Sequence, residues 1–228
     1  VDLLTDLQDM QKDGLIETFP VTEGSINHYL ALAQEKSSML IETSTASSTI
    51  RDFLGGGLDA EAAGAGFEAA DLDFDVTKLV PAAGPIPGPK SGGKVFASGG
   101  AFYILNTSSP AEQAASWEFT KFMLQPENAY AWHTEAGYLP VVKAVLDDPR
   151  VAEFWETDVA GVMLKQSVDQ LRDADPDTTR PLMGPYSKFT DIVQAMLFDV
   201  VGATGADPAG ALSSAEGKVT DMLTEYNG

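Results

Sequence analysis

The chain has 228 residues, enough to bury a core as one large domain or two small ones. It carries 34 acidic against 14 basic side chains, a formal net charge of -20, which argues against nucleic acid and against docking on an anionic leaflet through a basic patch. Such a charge keeps a protein soluble and favours a monomer. With no cysteine, a disulfide framework, a thiolate nucleophile and a Cys-based zinc site are all excluded.

Leu3, Leu4, Leu7 and Met10 repeat at helical spacing, and Asp13-Gly14 closes that first helix. It opens without room for a preceding cap, so further sequence is expected upstream. A second helix is expected over 26–34. Ser38 to Thr43 then reads as a short buried strand that runs into the polar stretch 44–48 and a helix at Ile50. A strand that ends in small hydroxyl residues and re-enters a helix suits a ligand, because helix N-terminal amides are unsatisfied donors. A plain Ser/Thr cap is the alternative reading there.

Residues 55–71 read as a loop or loose helix, and 72–79 as a further strand. Pro81 to Gly93 holds four prolines and four glycines among thirteen residues, a connector with polyproline character. Lys94 to Leu105 reads as a strand interrupted by Gly99-Gly100, and glycine within a strand marks a bulge or a close approach of ligand or backbone.

Ser109-Pro110-Ala111-Glu112 predicts a capping box with proline in the first turn, and Ala115, Phe119, Phe122 and Met123 form the expected buried stripe of that helix. Pro126 opens a helix that Gly137 stops. Asp148-Pro149 starts a longer one to about Leu171. Two apolar helices follow, one after Gly184-Pro185-Tyr186 and one after Asp207-Pro208. No span approaches the ~18 apolar residues of a transmembrane helix.

The two histidines, His28 and His133, sit beside aromatics and not in a metal-ligand spacing, and no hydrolase, dinucleotide or calcium-loop motif is present. No catalytic residue, metal or cofactor is expected, although a carboxylate pair for glycoside hydrolysis is not singled out by spacing in either sense.

The order of segments from Leu15 onward resembles family 1 extracellular solute-binding proteins, the class that includes maltose-binding and glycerol-3-phosphate-binding proteins. Lys36 to Ile41 is similar to the family's G-K-x-A-M strand, with the glycine missing here. Phe96 to Ile104 resembles the strand that crosses between lobes. Ala114 to Phe122 followed by Pro126-Glu127-Asn128 resembles the family's helix and P-E-N turn. Trp132 to Val141 is the most specific match, through Gly137-Tyr138-Leu139-Pro140.

That resemblance implies an α/β, two-lobed periplasmic-binding-protein fold. Residues 1–96 would belong to the second lobe, 97–155 would return to the first, and 156–228 would form the second lobe's C-terminal helices. It implies a non-enzymatic receptor that captures a carbohydrate or polyol between the lobes. The partners would be that small molecule and the permease subunits of an ABC importer. The location would be periplasm or cell surface, with a lipid anchor. By matching positions, the expected ligand contacts are Ser44, Gly99, Gly100, Tyr138, Tyr186 and Arg180. The arginine of the glycerol-3-phosphate branch falls at Thr190 here, which favours a neutral ligand over a phosphorylated polyol or its diester. A carbohydrate-active enzyme is the rival class.

Overall fold

The computed structural model describes residues 1–19, 26–55, 78–88, 93–95, 97–174, 183–202 and 205–228. Side-chain caps start four of its helices. Ser109 Oγ accepts from the Glu112 amide at 3.3 Å while Glu112 Oε2 accepts from the Ser109 amide at 2.8 Å, the expected capping box. Aspartates do the same work at Asp148, Asp158 and Asp207, each accepting from amides of the first turn. Proline stands in the first turn of four helices, where its missing N–H costs nothing.

The described residues form ten helices: α1 (Asp2–Lys12), α2 (Asn27–Ala33), α3 (Ala46–Leu54), α4 (Pro110–Met123), α5 (Pro126–Ala136), α6 (Lys143–Leu146), α7 (Pro149–Thr157), α8 (Val159–Arg172), α9 (Tyr186–Val201) and α10 (Pro208–Asn227). There is no strand among them, which overturns the expected α/β, two-lobed fold. Ser38 to Thr43 is irregular, with Met39 82% and Ile41 70% exposed. The described part of 94–105 is likewise irregular, and Phe102, Tyr103 and Leu105 face solvent. Of the expected strand over 72–79, residues 72–77 lie outside the described residues. A run of apolar, β-branched and aromatic residues marks a segment able to pair, but a strand exists only when a neighbour accepts its backbone hydrogen bonds.

Two compact units divide the chain. The first combines Val1–Asn27 with Arg180–Gly228, and the second is His28–Thr179. In the first, α9 packs against α1 and α10. Leu4, Val200 and Val201 are buried together, and Leu7, Ile16, Met196 and Ala211 pack around them. Gln8 is the polar member of this core. Its side-chain amide donates to the carbonyl of Val200 at 3.0 Å, at the end of α9 where no helical partner reaches, and to that of Ala206 at 2.9 Å in the connection to α10.

In the second unit, α8 packs against α7 and α3, and α5 against α4, α6 and α7. Ala129, Val145 and Val151 form one core, flanked by Tyr130, Val142 and Trp155. Leu164 and Ala160 of α8 are also fully buried. Arg150 ties α7 to α5. Its guanidinium bonds both Glu127 carboxylate oxygens, at 2.9 and 3.0 Å, and Asp148, and lies 4.3 Å from the Tyr130 ring centroid. The proline-rich connector is fastened to α8 through Gln170, which accepts from the Ile86 amide and donates to the Gly93 carbonyl, both at 3.3 Å.

Two sequence expectations change in detail. The helix expected from Asp148-Pro149 to about Leu171 breaks at Asp158, whose extended backbone and capping carboxylate start α8 afresh. The apolar stripe of α4 is not core either. None of its residues is buried, and Phe119 and Phe122 are about half exposed.

The break at Asp158 brings α8 close enough to α7 that a Cβ on Gly161 would fall 1.9 Å from the Phe154 carbonyl oxygen. Backbone cannot retreat as a side-chain tip does. Gly161→Ala should therefore destabilise the protein by about 1–3 kcal/mol or more, the usual range for overpacking. Urea unfolding followed by circular dichroism reads that loss.

Candidate functional site

Gly137 ends α5 in the left-handed conformation, with φ 72 and ψ 13, a backbone that glycine adopts freely. A Cβ there would meet Ser47 Oγ at 3.0 Å and Thr45 Cα and O at 3.1 Å. The turn that carries Tyr138 is thus pressed against the N-terminus of α3, and two expected contacts, Ser44 and Tyr138, are brought to one region of the second unit. Arg51 reinforces the junction from α3, donating from Nη1 to the Thr134 carbonyl at 2.9 Å, one of the last carbonyls of α5.

At that N-terminus the plain cap reading fails. Thr45 is the N-cap residue, and its side chain makes no capping bond. Ser44 is half-buried, and its carbonyl accepts from the Ser47 amide at 3.1 Å. Ser47 is 3% exposed, and its Oγ is the one buried side-chain polar atom without a partner among the described residues. A buried hydroxyl left unbonded costs free energy, so it is an available donor or acceptor.

Tyr138 is 39% exposed and stacks on Trp132, itself 48% exposed, with ring centroids 5.1 Å apart and planes 24° apart. A groove of about 340 Å³ borders Trp132, lined by Phe122, Met123, Asn128, Ala131, Glu135 and Ala136.

Behind the turn sits His133, 1% exposed. Its Nδ1 lies 2.6 Å from the Tyr138 carbonyl oxygen, and its Nε2 accepts the Trp155 indole N–H at 2.9 Å. Burial lowers its pKa below the ordinary imidazole value, with the Tyr138 carbonyl opposing that shift only in part. Neither His133 nor Trp155 was singled out as functional by sequence. The signal was present in Trp132-His133 placed before Gly137-Tyr138, a polar ring at helical spacing from an apolar face.

The other expected contacts lie elsewhere. Gly99 and Gly100 are exposed in the irregular segment, and a Cβ on either would meet nothing within 4 Å. Tyr186 opens α9 in the first unit, half-buried, its ring 5.9 Å from Phe189. Arg180 lies outside the described residues. Thr190 spends its hydroxyl on the Tyr186 carbonyl at 3.0 Å. A depression of about 300 Å³ in the first unit is lined by Pro185, Lys188, Met222, Glu225 and Tyr226, and none of the expected contacts. Among the described residues no group of three or more His, Cys, Asp or Glu is placed to hold a metal, and no helix is long and apolar enough to cross a membrane.

Residues 1–160 match the family described as bacterial extracellular solute-binding protein. The chain belongs to that family. Its members are generally non-enzymatic, bind a small molecule, work with the permease of an ABC-type transporter, and act outside the cytoplasm. The chain is also similar to the sn-glycerol-3-phosphate-binding periplasmic protein UgpB of Escherichia coli strain K12, at 33% identity over 58 residues, 25% of this chain and 13% of that protein. The same protein from Escherichia coli O157:H7 and from Shigella flexneri matches to the same extent. The match thus spans about an eighth of those relatives' length.

Gly137 gives the junction a direct check. Gly137→Ala places a Cβ against Thr45 in a left-handed backbone, and the expected loss is about 1–2 kcal/mol. The loss is read as a lower urea midpoint with an unchanged denaturant slope.

Proposed function

We propose that the protein is the solute-binding component of an ABC importer for a neutral carbohydrate or polyol, and that Ser44 and Tyr138 of the second unit contact the ligand. The stacked Trp132–Tyr138 pair beside the α3 N-terminus carries this reading. Aromatic rings suit the apolar faces of sugars, and the unpartnered Ser47 hydroxyl suits a ligand oxygen. Gly99, Gly100, Tyr186 and Arg180 remain proposed contacts on the family resemblance alone. We read the protein as a monomer outside the cytoplasm that binds and does not catalyse.

A phosphorylated polyol is the second reading. The name of the Escherichia coli and Shigella relatives supports it. Cations near the candidate turn speak against it. Arg51 is engaged by the Thr134 carbonyl and by Asp52 at 3.3 Å. A phosphate prefers free, charge-assisted donors, and the place of the family arginine is held by Thr190.

Calorimetry on the full-length protein with maltose, glycerol and sn-glycerol-3-phosphate separates the two. For a neutral ligand, Tyr138→Ala should weaken binding by about 1–3 kcal/mol, the size of a lost aromatic contact with its hydrogen bond. Tight binding of the phosphate ester that Arg180→Ala abolishes and Tyr138→Ala leaves intact would overturn the choice. Steady product formation from a sugar panel, followed by mass spectrometry, would overturn the receptor reading itself.

A further inference from the structure

The hydrogen bonds of His133 fix its protonation state by geometry. An indole N–H can only donate, so the His133 Nε2 that receives the Trp155 N–H must be the unprotonated nitrogen. The proton of the neutral ring is then on Nδ1, where it donates to the Tyr138 carbonyl. Phe154 and Trp155 meet the ring edge-on at centroid distances of 5.8 Å, which leaves it enclosed by apolar surface. A second proton on Nε2 would face the Trp155 N–H donor to donor, and it would place a charge among those rings.

We propose that His133 is a positioning residue for Tyr138: as the Nδ1–H tautomer selected by Trp155 it fixes the Gly137–Tyr138 turn, and protonation of Nε2, which sets two donors face to face among apolar rings, expels the ring and with it releases that turn. This rests on the reading of Tyr138 as a ligand contact, and it makes capture of the solute sensitive to acid. The charged groups around the ring leave that response to the ring itself. On α5 itself, Glu127 is paired with Arg150 of α7 and Glu135 is exposed. Lys143 of α6 and Glu153 and Glu156 of α7 are exposed. On α4, Lys121 is paired with Glu118, and on α3 Arg51 is held by Thr134 and Asp52. The two causes that act on His133 are its burial and the Tyr138 carbonyl.

The sign follows from linkage. The unfolded chain holds an ordinary imidazole of pKa about 6.5, while the folded ring takes up its proton at lower pH. The contribution of His133 to stability is therefore full above about 6.5 and declines as the pH falls from there towards the folded value. The turn should loosen as the folded ring itself titrates.

The test needs no ligand, so it stands or falls apart from the assignment of the transported solute. In the full-length protein labelled with nitrogen-15, the His133 ring is expected to show the Nδ1–H tautomer at pH 7.5. On acidification, the Trp155 indole and Tyr138 amide resonances should move with the imidazole's own midpoint. His133→Asn keeps a donor for the Tyr138 carbonyl and removes the titration, so the Tyr138 resonance should stay near its neutral-pH position down to pH 5. Trp155→Phe removes the opposing donor, so the imidazole midpoint should rise. An Nε2–H tautomer overturns the proposal, and so does a Tyr138 resonance that ignores the imidazole titration. Acid movement that persists in His133→Asn, or global unfolding before the ring titrates, also counts against it.

Discussion

A buried imidazole with one donor and one acceptor already committed sets the local architecture of the second unit. His133 can satisfy the Tyr138 carbonyl and the Trp155 indole together only in one tautomer, and only if α5, α7 and the turn after α5 hold their places. The two bonds come from separate elements, so the ring acts as a pin through three of them. Around it, Ala129, Val145 and Val151 supply apolar burial, and Arg150 supplies an outer tie between α7 and α5. Non-directional burial would tolerate small rotations of these helices, whereas the ring's bonds are angular and short and would not.

The turn after α5 then depends on Gly137. A left-handed residue ends the helix, points the chain back, and leaves no side chain between α5 and the N-terminus of α3. Tyr138 therefore arrives beside Trp132, while Ser44 and Ser47 arrive on the other side of the glycine. Sequence order separates the turn from α3 by about ninety positions, and the missing Cβ is what lets Gly137 lie against Thr45 and Ser47. In the first unit Gln8 plays an analogous part, with one amide answering a carbonyl at the end of α9 and one in the connection that follows.

Helices were legible in the sequence because their signals are local. Ser109 with Glu112, and the Asp-Pro pairs at 148 and 207, announce a helix within four residues, and each does start one. The strands were misread for the opposite reason. Apolar runs in 38–43 and 94–105 state what a segment would do with a neighbour, and say nothing about whether a neighbour is there. The stripe of α4 misled in the same way, since Phe119 and Phe122 were read as core from spacing alone and are exposed. The family was legible through the order of short motifs, and the match over residues 1–160 supports it. Of the expected contacts, Ser44 and Tyr138 are the neighbours in sequence of Thr45 and Gly137, which lie against each other, a distant pairing that no local pattern encodes. His133 was passed over because a lone histidine on an apolar face looks like any core ring until its two hydrogen-bond partners are known.

The exposed segment before α4 has a colloidal consequence. Phe102, Tyr103, Ile104 and Leu105 stand consecutively at the surface, with Phe102 in edge contact with Phe119 at 5.6 Å. An apolar stretch of this kind, exposed and free of charge, is the sort of sequence that nucleates intermolecular cross-β stacking. What keeps copies apart is long-range repulsion between bodies each carrying a net charge of -20. That barrier has a reach of only about 10 Å at 0.1 M salt and shrinks to about 3 Å at 1 M. Salting-out, the usual last step of concentration, thus weakens the repulsion that opposes contact between such segments of neighbouring copies.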